Sequence, residues 1–360
     1  MNSQRLKTVM SVFVLLLVCA CVQHPRKTLD MLVRADAPYI QIMGRTVINS
    51  DSSLTFAYPG VMFIAEVNAR ALVLTVSSSS GNSWVDIQVD EGASRAVNIA
   101  QGQQQLELFS FATAGRHKVI LTHRSEPWIG AVTITQWAAI DGVFLPAQGL
   151  PVRKLMVLGD SITCGEAIER VPGEAKHSGW WSSRKSYGFL AAQALNAQVH
   201  LVCAGGRGLT RSWNGKTDDA NLADFYRYSL GDADHNQLWN EQRYVPDLIL
   251  VAIGTNDFAP GIPERARYIN TYVNFLRQLR DNYPFARIVI TEGSMVQGEA
   301  KTILVDFLQQ TLKQMSDFNI VYFPCAYAPG DVQDAHPTAV QHEKLAASLV
   351  VFIRKLMHWE

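Results

Sequence analysis

Ser161, in the segment Val157-Leu158-Gly159-Asp160-Ser161-Ile162-Thr163, is the residue of this chain whose setting best suits a nucleophile. The apolar run 155–158 stops at a glycine, and the serine follows two residues later. That pattern fits a strand ending in a tight turn that lifts a hydroxyl to the rim of a sheet. A serine hydroxyl is nearly inert at neutral pH and needs a base within hydrogen-bond reach. His336, in Asp334-Ala335-His336-Pro337, is the candidate base. Asp334 is the candidate acceptor for the far imidazole nitrogen, where it sets the tautomer and stabilises the imidazolium. Pro337 suits the first turn of a following helix.

A carbonyl under attack develops negative charge, so donors must be in place beforehand. Two further segments offer them: Gly205-Gly206-Arg207-Gly208 and Gly254-Thr255-Asn256-Asp257. The expected oxyanion donors are the Ser161 N–H, the Gly206 N–H and the Asn256 side-chain amide, with Gly205 the rival to Gly206. Asp257 is expected only to cap its turn. The glycine-rich segment lacks the Lys-Ser/Thr of a phosphate loop, because Leu209-Thr210-Arg211 follows it.

The elements that must hold these residues change character along the chain. Residues 38–145 are all-β in texture. Strand-like runs at 61–67, 71–76, 84–90, 106–111, 118–122 and 131–137 are separated by turn signals such as Asp90-Glu91-Gly92 and Thr113-Ala114-Gly115. This predicts a jelly-roll-like β sandwich. A Gly/Pro-punctuated junction at 141–152 follows. Residues 152–360 then alternate strand and helix: strands at 154–158, 199–203, 247–253, 287–291 and 319–323, and helices near 187–195, 269–279, 303–315 and 339–357. This predicts an α/β domain with a parallel sheet covered on both faces. In such folds the site lies at the carboxyl ends of the strands, where three of the four segments fall directly.

The four segments resemble the blocks of the SGNH (GDSL-like) hydrolase superfamily, which contribute a serine, a glycine, an asparagine and a histidine: here Ser161, Gly206, Asn256 and His336. The commonest pattern places an aspartate three residues before the histidine, but Gln333 stands there and Asp334 is only two before. A β sandwich ahead of such a domain, with Asp-x-His-Pro near the end, resembles carbohydrate esterase family two. That resemblance implies removal of acetyl groups from acetylated polysaccharide such as xylan or glucomannan, with no cofactor. The resemblance also implies an alternative to Asp334, a backbone carbonyl that orients His336, and Ala335 stands where the family often carries an aromatic. Alternatives are an SGNH acyl hydrolase on lipid, thioester or peptidoglycan O-acetyl substrates, and an inactive glycan-binding lipoprotein. Trp180, Trp181, Trp213 and Trp239 are candidates for sugar stacking, with core packing the commoner fate of each. No aromatic platform stands out in 38–145, so the β domain is expected to wall one side of the cleft.

Composition bounds the rest. The chain has 360 residues, 48% hydrophobic and 18% charged, with zero formal net charge, so no basic face and no nucleic-acid partner are implied. Arg5 and Lys7 precede an apolar stretch at 9–20 that is too short to span a bilayer. Its end, Val18-Cys19-Ala20-Cys21, resembles a bacterial lipoprotein signal with Cys21 as the acylated residue. Val22 is not aspartate, which favours the outer membrane; a plain secretory signal is the alternative. Residues 1–20 are therefore expected to be removed and 21–37 to form a tether. Removing 1–20 takes away Arg5 and Lys7 and no acid, leaving 30 basic against 32 acidic residues. Cys164, Cys203 and Cys325 are expected to be small buried residues with at least one unpaired, and their spacing resembles no metal framework. A reactive role for Cys164, three residues after Ser161, is the alternative. His177, His200, His235 and His342 are expected to be structural or solvated.

Overall fold

The computed structural model describes residues 30–231 and 237–360. Cys21, the signal segment and His235 lie outside the described residues. The N-terminal part holds ten strands: β1 (Met31–Arg34), β2 (Ile40–Met43), β3 (Val47–Ile48), β4 (Leu54–Phe56), β5 (Met62–Ser78), β6 (Ser83–Val89), β7 (Arg95–Ile99), β8 (Gln104–His123), β9 (Val132–Ile140) and β10 (Val143–Leu145). All pair antiparallel. β5 is the hub. It pairs with β8 along its length, with β2 and β10 on its first half and with β9 on its second. Phe56, Phe63, Leu72, Leu74, Val85, Leu121, Ile134 and Trp137 are buried between the layers of this β sandwich.

Three expectations need correction here. The segment taken as a tether contains β1, whose residues pair with the inner end of β9; its alternation of half-buried and exposed side chains is too short to stand out in a polar stretch. The runs 61–67 and 71–76 are one strand, and so are 106–111 and 118–122. The signal Thr113-Ala114-Gly115 is not a chain reversal. Ala69 faces Gly115 while Ala71 faces Ser110, so residues 111–114 stand opposite Arg70 alone. The turn-forming residues make an exposed bulge within a continuous strand.

The second part contains β11 (Arg153–Gly159), α1 (Ser161–Cys164), α2 (Tyr187–Ala194), β12 (Ala197–Cys203), α3 (Leu222–Phe225), β13 (Leu248–Ala252), α4 (Thr255–Phe258), α5 (Arg265–Asn282), β14 (Arg287–Thr291), α6 (Gly298–Met315), β15 (Ile320–Tyr322) and α7 (Ala339–Met357). The five strands form one parallel sheet in the order β12-β11-β13-β14-β15. Strands buried on both faces need continuous apolar runs, and Leu248–Ala252 is buried at every position. α2 and α7 pack on one face through Phe189, Ala192, Leu345 and Leu349. α5 and α6 pack on the other through Tyr268, Leu276, Leu304 and Phe307. The strand order reverses at β11, so the crevice between the carboxyl ends of β12, β11 and β13 is the switch point where open α/β sheets bind ligands.

The two parts share one core rather than meeting at a hinge. Arg45 is buried and donates to the carbonyls of Tyr226 and Tyr228, and Tyr58 Oη donates to the carbonyl of Phe225. Arg124, 1% exposed, pairs with Asp86 in the sandwich at 2.7 Å and with Glu169 in the α/β part at 2.6 Å. This junction fixes the segment after β8, which runs directly into the cleft.

Candidate active site

β11 ends at Gly159, where a Cβ would lie 2.2 Å from Thr163 Oγ1. The chain then turns into the four-residue α1, capped by Asp160, whose carboxylate accepts from the Ile162 N–H. Asp160 is buried, and that burial pushes its pKa up to about 6. Ser161 occupies the first position of α1, where a backbone N–H has no carbonyl partner within the helix. Its side chain faces a cleft also lined by Trp128, Glu166, Gly206, Arg207, Trp213, Asn256 and His336.

Ser161 Oγ lies 2.9 Å from His336 Nε2, and His336 Nδ1 lies 2.6 Å from Asp334 Oδ1. The same Asp334 oxygen accepts the His336 backbone N–H at 2.9 Å, while Oδ2 accepts from Lys176 Nζ at 2.8 Å. Burial works against both charged forms, but these hydrogen bonds hold Asp334 well below the usual carboxylate range. Burial also works against the imidazolium. The Asp334 hydrogen bond and the charges of Glu166 and Asp334 outweigh it and raise His336 above its ordinary value. Glu166 Oε2 stands 3.4 Å from His336 Nε2, on the side of the serine. Lys176 bridges Glu166 and Asp334.

The loop carrying His336 is clamped by Arg170, which donates to the carbonyls of Asp334, His336 and Pro337 and to the Asp331 carboxylate. α7 starts at a capping box in which Thr338 Oγ1 accepts from the Gln341 N–H. Pro337 therefore precedes the cap rather than opening the first turn.

The oxyanion side comes from the ends of β12 and β13. Gly206 has φ +73°, a conformation that favours glycine. The Gly205 N–H is taken by Glu126 Oε2 at 2.5 Å, which removes Gly205 from the candidate donors. Asn256 is buried in α4 and donates one amide hydrogen to the Arg207 carbonyl at 2.9 Å. That bond orients the amide and leaves its second hydrogen for the cleft. Asp257 does more than cap its turn. Its carboxylate accepts from the N–H groups of Leu209 and Thr210, tying the β12 and β13 loops together.

Cys164, the last residue of α1, and Cys203, the last of β12, form a disulfide with Cα atoms 5.7 Å apart. The bond joins the nucleophile turn to the strand that feeds the oxyanion loop, and Cys164 carries no reactive thiol. Cys325 is free. His200 and His342 are buried acceptors of the Gly44 and Tyr187 N–H groups, and His177 caps a short turn. Trp180, Trp181 and Trp239 are buried, whereas Trp213 is 62% exposed at the cleft. Trp128, from the β domain, is 55% exposed and lines the same cleft, so an aromatic wall does exist within 38–145. Sequence reasoning missed Trp128, Glu126, Glu166, Arg170 and Lys176, because each reaches the site only through the tertiary fold. Among the described residues no cluster of His, Cys, Asp and Glu could hold a metal ion.

A serine, an imidazole and a carboxylate in this sequence, facing convergent N–H donors, can carry out acyl transfer. Residues 42–147 match the model described as "Carbohydrate esterase 2 N-terminal" and residues 157–344 that of the "GDSL-like Lipase/Acylhydrolase family". A protein of Cellvibrio japonicus named "Acetylxylan esterase / glucomannan deacetylase" is 52% identical over 327 residues, covering 91% of each chain. The chain belongs to carbohydrate esterase family two. A solved family-two structure from Cellvibrio japonicus has a TM-score of 0.90 at 51% identity and covers 92% of this chain and 98% of that one. A family-two esterase from Clostridium thermocellum, in complex with cellohexaose, shares the fold with a TM-score of 0.83 at 24% identity, over 89% of this chain and all of that one. This chain is accordingly a carboxylic ester hydrolase.

Proposed function

We propose that this family-two esterase removes O-acetyl groups from plant cell-wall polysaccharide of the xylan or glucomannan type, with Ser161 as nucleophile. The observation that carries the reading is the hydrogen-bonded series Asp334–His336–Ser161 in a cleft flanked by the exposed rings of Trp128 and Trp213. Tryptophan faces beside the polar groups of Glu166 and Arg207 suit sugar rings. The relative's name points to the same substrates.

Ser161 Oγ attacks the acetyl carbonyl while His336 Nε2 takes its proton. Asp334 stabilises the imidazolium that forms. The negative oxygen is held by the Ser161 N–H, the Gly206 N–H and the second amide hydrogen of Asn256. Collapse breaks the bond to the sugar oxygen, which leaves with the proton from His336. Water, deprotonated by His336, then cleaves the acetyl-enzyme and releases acetate.

The enclosed apolar cavity behind the site is lined by Ile162, Phe323 and Leu345 but by neither Ser161 nor His336. This weighs against the lipid reading. Replacing Ser161 by alanine is expected to abolish ester hydrolysis in a folded protein; near-full activity would contradict the mechanism.

We also propose that the protein is exported and anchored through acylated Cys21 in an outer membrane. The supports are the basic residues Arg5 and Lys7, the apolar stretch after them and Ala20-Cys21. Mass spectrometry of the N-terminal peptide tests this: a lipid-modified Cys21 is expected, and an unmodified peptide would favour a plain secretory signal.

A further inference from the structure

Glu126 is a carboxylate that the reaction steps do not use, yet it touches both walls of the cleft. It lies just after β8, in the β domain, and is 0% exposed. Its Oε2 accepts from the Gly205 N–H at 2.5 Å and from the Trp128 indole at 2.9 Å. Its Oε1 accepts from the Trp181 indole at 2.7 Å. Burying a carboxylate is costly unless fixed donors replace its water. Three N–H groups converge here to do so. Desolvation, followed by the charge of Glu166, still pushes the Glu126 pKa up to about 7.

The contact with Gly205 is intimate. A Cβ at that position would lie 2.7 Å from Oε2, so a larger residue would displace the carboxylate from its three donors. Gly206 follows immediately, and its carbonyl is held from the other side by the Trp213 N–H at 2.9 Å. The Gly206 amide therefore sits between two anchored groups. Trp128, which shares the carboxylate, presents its exposed ring to the cleft that Ser161 also lines.

We infer that Glu126 is a positioning residue of the esterase site: one carboxylate from the β domain sets both the Gly205–Gly206 oxyanion loop and the Trp128 wall. The sandwich is then a working part of the active site. This rests on the assignment of Ser161 and Gly206 made above.

Glu126→Gln is the direct test. The amide keeps only one accepting oxygen, so it cannot accept from the Gly205–Trp128 pair and from Trp181 together; on one side a donor faces a donor, and the group that fixes Gly205 is displaced or loses its charge. Losing an oxyanion donor costs about 100- to 1,000-fold, and a displaced one less, so kcat on 4-nitrophenyl acetate is expected to fall about 10- to 100-fold. KM for this small ester should stay within about twofold, since it does not use the tryptophan wall. Affinity for methylboronic acid, whose adduct with a serine places an oxygen in the hole, should fall with kcat. Gly205→Ala crowds the same carboxylate from the other side and should reproduce the loss of kcat; it decides the matter if Glu126→Gln does not fold. Folded variants with wild-type kcat and boronate affinity, or a loss confined to KM, would overturn the inference. Inactivity of the wild type on every ester would instead overturn the esterase reading beneath it.

Discussion

Asp334 Oδ1 lies 2.6 Å from His336 Nδ1 although only Ala335 separates the two residues. The short spacing works because the same oxygen also accepts the His336 backbone N–H, curling the segment so that the imidazole folds back over its own carboxylate. Lys176 holds the other oxygen and Arg170 the surrounding carbonyls. Asp334→Asn should therefore lower kcat by about 1,000- to 10,000-fold through the wrong tautomer and a less stable imidazolium. Steady-state kinetics on 4-nitrophenyl acetate measures this. A loss under about tenfold would pass the orienting role to another group, such as a backbone carbonyl.

The pH profile follows from the sign of the His336 shift. The base must be neutral, so kcat/KM rises with pH through the His336 pKa, which stands above its ordinary value. Glu166 contributes to that raised value by its charge. Glu166→Gln should move the acidic limb of the profile to lower pH, leaving the enzyme relatively more active in mild acid. An unmoved limb, or one moved to higher pH, would show that Glu166 does not act on His336 in this way.

Asn256 is fixed by its bond to the Arg207 carbonyl, so truncation removes a donor already aimed. Asn256→Ala is expected to reduce kcat by about 100- to 1,000-fold with little change in KM. A change in KM alone would place Asn256 in ground-state binding instead.

The Cys164–Cys203 bond closes a loop of 39 residues in sequence separation between the nucleophile turn and the oxyanion strand. Cross-links of this size typically add about 2–4 kcal/mol of stability, chiefly by restricting the unfolded chain. Replacing both cysteines by alanine should lower the denaturant midpoint by a corresponding amount, and thiol reductants should do the same to the wild type. Equal midpoints in oxidised and reduced protein would contradict this.

The parallel half of the fold was legible because its strands are buried on both faces. Runs such as 248–252 have no polar residue to blur them, and three of the four motif segments sit where those runs end. α5 and α7 showed themselves through apolar residues at helical spacing, including Tyr272, Leu276, Leu345 and Leu349. The sandwich was harder. β1, β3 and β4 have four residues or fewer, too short to show alternation. A bulge at 111–114 carries the same residue types as a turn, so β8 looked like two strands. The core of the site, Ser161, Gly206, Asn256 and His336, could be read because each lies near the end or start of a recognisable element. Its supports could not. Glu126 meets Gly205 across 79 positions and Arg170 meets His336 across 166, and neither partner leaves a local trace. The disulfide was equally silent, since three cysteines allow several pairings.

Ser161 and His336 are proposed to deacetylate polysaccharide. The most direct test is acetate release by the soluble form, residues 22–360, from acetylated xylan and acetylated glucomannan, alongside 4-nitrophenyl esters of increasing chain length. Ser161→Ala serves as the control. Acetate is expected from polysaccharide, with acetyl preferred over longer chains and no release by the variant. Hydrolysis of long-chain esters with no release from either polysaccharide, or release that survives in Ser161→Ala, would contradict it.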